Sequence, residues 1–135
     1  MIHTTEIKIR GYHLDLYGHV NHARYLEFLE DARWGMMESG GSLDWFMQQG
    51  YALVVSRVDI RYLRPATIGE VLRIETRLER QLERAVVIVQ RVVKAATGKL
   101  AAEAEVTVAV LHPDNGRAQP IAGQIAARLQ PLLAN

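Results

Sequence analysis

The spacing of apolar residues changes period along the chain. EIKIR (residues 6–10) alternates polar and apolar, which puts Ile7 and Ile9 on one face of a short strand. From about residue 22 the apolar positions recur at helical spacing. Tyr25, Leu26, Phe28, Leu29, Ala32 and Met36 gather on one side, with Arg24, Glu27, Asp31 and Glu38 opposite and Trp34 on that polar side. Asn21 stands where an N-cap belongs, since its side-chain oxygen can accept a first-turn amide that has no partner within the helix. Gly40-Gly41 ends the pattern, because glycine readily takes the left-handed conformation that closes a helix. The expected helix is about 17 residues, or about 26 Å at 1.5 Å per residue. Ser42 is placed to cap a second short helix, LDWFMQQ, which stops at Gly50.

After Gly50 the pattern is that of strands. In YALVVSRVDIRYL, Val54, Val58, Ile60 and Tyr62 point one way, and Arg57, Asp59 and Arg61 the other. Arg64-Pro65-Ala66 breaks this strand, because proline lacks a ladder donor. VLRIETRLE (71–79) turns Leu72, Ile74 and Leu78 inward against Arg73, Glu75, Arg77 and Glu79. AVVIVQRVVKA (85–95) is apolar almost throughout, as suits a strand covered on both faces. LAAEAEVTVAVL (100–111) alternates again, with Ala104, Val106, Val108 and Val110 on one face. His112 to Gly116 forms a turn, and IAGQIAARLQPLL suits a terminal helix. Successive strands on short turns favour antiparallel pairing, so the class is α+β, one long helix across an antiparallel sheet. One helix covers one face of that sheet. The other is solvated or covered by a second subunit, and the strand apolar on both faces favours the subunit.

Composition narrows the picture without sharpening it. With 135 residues, 49% hydrophobic and 23% charged, residues 1–135 are expected to form a single globular domain. The absence of cysteine excludes disulfides, a thiolate nucleophile and cysteine zinc sites. A net charge of +1 supplies no electrostatic reason for a nucleic-acid partner. No stretch has the form of a secretory signal or approaches the roughly 18 apolar residues of a membrane span. The expectation is a soluble cytoplasmic protein with no membrane partner.

The candidate chemistry lies in HLDLYGHVNH (13–22), which holds His13, Asp15, His19 and His22 just before the long helix. Imidazoles and a carboxylate suit a metal, yet the spacing matches no metal motif, and His19 and His22 straddle the helix start rather than sharing a face. The same residues can serve structure alone, capping turns and satisfying backbone groups. In a third reading Asp15 is a base or nucleophile beside a helix start, whose unpaired amides can stabilise the oxyanion formed when a carbonyl is attacked. Composition and spacing leave these three open.

The set of motifs does more. Asp15-Leu16-Tyr17-Gly18-His19-Val20-Asn21, read as D-x-x-G-H-V-N, is preceded by RGYHLD and followed by A-R-Y-L-E-F-x-E-x-A-R. With the Y-x-R-P-A break at Tyr62, Arg64, Pro65 and Ala66, it resembles the hotdog-fold acyl-CoA thioesterases of the 4-hydroxybenzoyl-CoA thioesterase-like group, in particular the bacterial long-chain acyl-CoA thioesterase III branch. The resemblance implies a sheet wrapped around the central helix, and a homodimer or homotetramer with sites between subunits. It implies hydrolysis of long-chain fatty acyl-CoA to fatty acid and CoA, with no metal and no organic cofactor. It places the catalytic carboxylate on Asp15 and the oxyanion donor on the backbone amide of His22. Gly18 falls where a Cβ would crowd the thioester, while His19 and Asn21 shape the loop and the cap. Tyr25, with Phe28, Leu29, Met36, Trp45, Phe46 and Met47, is either core or the lining of an acyl tunnel. Arg64 is a candidate for the CoA phosphates beside Arg57, Arg61, Arg91 and Lys99, which nothing in the sequence ranks. Two alternatives stay open: an enoyl-thioester hydratase using Asp15 and His19, and a noncatalytic binder of acyl-CoA or acyl carrier protein.

Overall fold

A computed structural model describes residues 1–133. Five antiparallel strands, β1 (His3–Lys8), β2 (Ala52–Tyr62), β3 (Val71–Gln81), β4 (Val86–Lys94) and β5 (Leu100–Leu111), form one sheet in the order β1-β3-β4-β5-β2. The long helix α1 (His22–Ser39) lies on its inner face, followed by α2 (Ser42–Gln49), and α3 (Gly123–Leu129) closes the far end. This is the α+β hotdog arrangement. Strands β3, β4 and β5 form a meander. By contrast, β2 pairs with β5 at the opposite edge from β1, so residues 63–70 must cross the sheet between β2 and β3.

The helix forms as its pattern predicts. Asn21 caps it, its Oδ1 accepting from the Ala23 N–H at 2.9 Å. Tyr25, Phe28, Leu29, Ala32 and Met36 are buried in one core with Leu72, Ile74, Leu78, Val92 and Val106. The stripe is rotated slightly from the expected one, since Met37 is buried and Leu26 is 43% exposed. At the C-terminus Gly40 stays right-handed and Gly41, at φ 71°, takes the left-handed turn. Ser42 is no cap. It sits inside α2, and its hydroxyl donates to the Arg128 carbonyl at 2.8 Å.

Three further expectations change. The first strand runs slightly earlier than EIKIR, although Ile9 remains fully buried just beyond it. In β2 the register with β5 shifts between Val55 and Arg57, and this bulge reverses the alternation. Leu53 and Val55 therefore face inward before it and Val58, Ile60 and Tyr62 after it, while Val54 is paired with Ala109 on the outer face. The outer face of β4 is largely covered within the chain: Val87 and Val93 are buried, Val89 is half-buried in a basin of charged side chains, and Arg91 is exposed. Edge strand β2 instead carries exposed apolar side chains on both faces, Val55, Val58 and Tyr62 on the inner and Val54 on the outer.

Candidate active site

The loop of residues 14–21 is a hairpin-like turn built around Asp15. Leu14 bridges Val20, the Asp15 N–H donates to the His19 carbonyl at 2.7 Å, and Gly18 N–H donates to the Asp15 carbonyl at 3.1 Å. The Asp15 carboxylate closes the turn from inside, Oδ1 accepting from Tyr17 N at 2.8 Å and His19 N at 3.2 Å. Oδ2 accepts from no described donor. One carboxylate oxygen thus holds the loop, and the other has no described partner.

Gly18 is selected by its own backbone, whatever a bound thioester would add. Its φ of 77° is left-handed, and a Cβ added there would meet nothing within 4 Å. Backbone conformation, rather than crowding within the chain, selects glycine.

The crossing segment reaches this loop from the other side. Val20 N–H donates to the Ala66 carbonyl at 2.9 Å, and the Thr67 hydroxyl donates to the Gly18 carbonyl at 3.1 Å. Asp15, His19, Val20, His22, Tyr25, Tyr62, Leu63, Arg64 and Pro65 line one open concavity of ≈ 320 Å³. These two segments, distant in sequence, meet because the crossover between β2 and β3 carries residues 63–70 to the loop.

At the helix start the first-turn amides have different fates. Ala23 N–H donates to Asn21 Oδ1, and Arg24 N–H to the Asn21 carbonyl at 2.9 Å. The His22 N–H donates to no described acceptor. It is the first-turn donor that the cap leaves over, at the positive end of α1. The Tyr62 hydroxyl donates to the His22 carbonyl at 3.0 Å, and its ring lies edge-on to Tyr25, with centroids 5.5 Å apart. Burial holds the Tyr62 phenol above its ordinary pKa, and burial together with Glu70 and Tyr62 pushes Tyr25 up to about 12. Both are therefore neutral at physiological pH. Tyr62 entered the sequence reading as part of the Y-x-R-P-A break rather than as a site residue, and Thr67 did not enter it.

The histidines separate. His13 is buried, its Nδ1 accepting from Arg10 N–H at 2.9 Å and its ring packing edge-on against Phe28. Burial, then Arg24, hold its pKa below the ordinary value, so it is a neutral structural group. His19 and His22 are exposed at the concavity. Among the described residues no three His, Asp or Glu side chains converge on a metal position. Of the five cationic candidates only Arg64 lines the concavity, braced by the Leu100 carbonyl at 2.9 Å. Arg57, Arg61 and Arg91 lie on the outer sheet face, in register with Thr107 and Glu103. Phe28, Leu29, Met36 and Phe46 are buried in the core, Met47 is exposed, and Tyr25 is the member of that set that lines the concavity.

The hotdog sheet thus carries Asp15 and His22 on one open concavity. The chain belongs to the thioesterase-like superfamily, whose model matches residues 9–129. It is 36% identical over 129 residues to the long-chain acyl-CoA thioesterase FadM of Escherichia coli strain K12, covering 96% of this chain and 98% of that one. It is 34% identical over 100 residues to the acyl-CoA thioester hydrolase YbgC of Escherichia coli O157:H7, covering 73% and 74%. The crystal structure of YbaW, a probable thioesterase from Escherichia coli, superposes with a TM-score of 0.91 at 35% identity, over 97% of this chain and 98% of that one.

Proposed function

We propose that this protein hydrolyses long-chain fatty acyl-CoA in the cytoplasm, with Asp15 as base or nucleophile and the His22 N–H as oxyanion donor. The observation that carries the reading is that Asp15, whose Oδ2 accepts from no described donor, and His22, whose N–H donates to no described acceptor, line one open concavity. Attack on the thioester carbonyl, by Oδ2 or by water it deprotonates, moves negative charge onto the carbonyl oxygen. The His22 N–H and the helix dipole stabilise that charge, and one such preorganised donor contributes about 10²–10³-fold in rate. Collapse of the tetrahedral species breaks the C–S bond and releases CoA. On the direct path the resulting Asp15 anhydride is then hydrolysed by water. Every group used belongs to the chain, so neither a metal nor an organic cofactor is invoked.

The surrounding residues support these two. Gly18, His19 and Asn21 shape the loop and the cap, Tyr62 ties the helix start to β2, and Arg64 offers the concavity a positive charge for CoA phosphate. A homodimer or homotetramer is part of the proposal. The exposed apolar side chains of edge strand β2 support it, because an open edge with valines at Val54, Val55 and Val58 invites pairing.

The test is a thiol-release assay across acyl-CoAs of increasing length, with enoyl absorbance followed in parallel. Release that rises with chain length is expected. Loss of enoyl absorbance without thiol would replace the reading with a hydratase, and tight binding without turnover would replace it with a noncatalytic acyl-CoA binder.

A further inference from the structure

The His22 N–H donates to no described acceptor, so no bond of its own holds it in place. Its direction is set by the groups on either side. Upstream, the Asn21 N–H donates to the carbonyl of buried His13 at 2.9 Å, and the Asn21 carbonyl accepts from the Arg24 N–H at 2.9 Å. Downstream, the His22 carbonyl accepts from the Tyr62 hydroxyl at 3.0 Å. The free donor therefore lies between two anchors that belong to other parts of the fold, the turn at residues 11–13 and the end of β2.

The β2 anchor depends on the bulge. The alternation that turns Leu53 and Val55 inward would, if continued, send Tyr62 to the outer face. The extra residue at Ser56, whose hydroxyl donates to the Thr107 carbonyl at 3.4 Å, reverses the phase. Tyr62 then faces the helix, and Arg57, Asp59 and Arg61 take the outer face. Re-aiming a side chain is what a bulge beside a site does. The phenol ring is held edge-on to buried Tyr25, at 5.5 Å, and to the His22 ring, at 6.3 Å between centroids. A carbonyl has no proton to give, so the phenol must donate, and burial keeps its proton on by raising its pKa.

We propose that Tyr62 is a positioning residue for the oxyanion donor: its hydroxyl, aimed by the β2 bulge, holds the first residue of α1 so that the His22 N–H meets the charge as it develops. The proposal rests on the reading of that N–H as the oxyanion donor. The first turn of a helix frays, because its amides lack partners within the helix. A donor already in place stabilises the oxyanion without rearranging, whereas a frayed one must be reordered at each turnover. The effect falls on kcat rather than KM, since the donor is engaged most strongly in the transition state.

The experiment measures kcat and KM for thiol release from dodecanoyl-CoA, with denaturation midpoints, for the natural protein, Tyr62→Phe, His22→Ala, His22→Pro and each His22 variant combined with Tyr62→Phe. Tyr62→Phe keeps the ring and removes the hydroxyl. It should lower kcat about 3- to 10-fold, the range of one neutral hydrogen bond, with KM changed less than about twofold. His22→Pro deletes the donor. Proline suits the first position of a helix, and Asn21, at φ −60° and ψ 134°, already has the extended backbone that a residue before proline takes. With His22→Ala as the reference for loss of the imidazole, His22→Pro should be about 10²–10³-fold slower. Tyr62→Phe should keep its full effect on kcat in His22→Ala and lose it, to less than about twofold, in His22→Pro. An equal loss in both backgrounds overturns the proposal, because the hydroxyl then acts independently of the donor. So does a Tyr62→Phe enzyme whose midpoint falls while kcat stays within twofold, or whose loss lies in KM, and these two readouts decide the matter even if His22→Pro fails to fold. A folded His22→Pro as fast as His22→Ala would instead overturn the reading of the His22 N–H itself.

Discussion

Replacing Asp15 by asparagine separates the chemistry of the carboxylate from the shape of its loop. Oδ1 accepts two loop amides, at 2.8 Å and 3.2 Å, and an asparagine oxygen can accept both. Loss of the charge weakens each bond, but the site is partly exposed, so the stability loss should be about 1 kcal/mol or less. Removing a general base or nucleophile at Oδ2 is far larger, about 10²–10⁴-fold in kcat or about 3–5 kcal/mol of barrier. Asp15→Ala also deletes both loop acceptors and should lose about 1–2 kcal/mol more in stability, with no greater fall in rate than Asp15→Asn. The measurements are thiol release with long-chain acyl-CoA and chemical denaturation of the same preparations. If Asp15→Asn retains more than a tenth of the natural rate, Asp15 holds the loop and the reacting group must be sought elsewhere.

Three smaller changes test the scaffold of the site. Gly18→Ala should destabilise by about 1–2 kcal/mol, wholly through the left-handed φ, because the new Cβ meets open space. An unchanged denaturation midpoint would show that the loop relaxes freely. Asn21→Ala should lose about 1 kcal/mol by removing the cap from Ala23, and Asn21→Asp should restore most of it in the same melts. His13 is held neutral by burial, so its folded pKa lies below the unfolded value of 6.5. The unfolded chain then binds the extra proton first, and the stability due to neutral His13 is complete above 6.5 and lost as pH falls toward the folded pKa. Melting temperature should therefore drop on acidification through that window, and less so in His13→Asn, which keeps an acceptor for Arg10 N–H but does not titrate; parallel slopes would refute the assignment.

Helices and strands were legible because they depend on neighbours within one or two turns. The Asn21 cap, the helix ending at Gly40, and the inward face of β3 all follow from local spacing. The loop chemistry was legible in part. Asp15 stands out as a carboxylate before a helix, but nothing local shows that one of its oxygens is spent on its own loop. The β2 bulge at Ser56 was invisible, since VVSRV alternates acceptably in either phase and only the pairing with β5 decides the face of Val54.

What the sequence determined by itself is the set of elements, their amphipathic faces and a motif dense enough to place the chain among the thioesterases. Strand order was decided only by tertiary structure, because pairing β2 with β5 rather than with its neighbour β3 depends on contacts between distant segments that leave no periodic trace. That order carries residues 63–70 across the sheet to the Asp15 loop and brings Tyr62 onto the His22 carbonyl. The same folding sets Arg33, by pattern an ordinary helix cation, against a buried glutamine and an apolar wall. A charge pattern along a helix gives direction, and only packing shows what the charge is left to face.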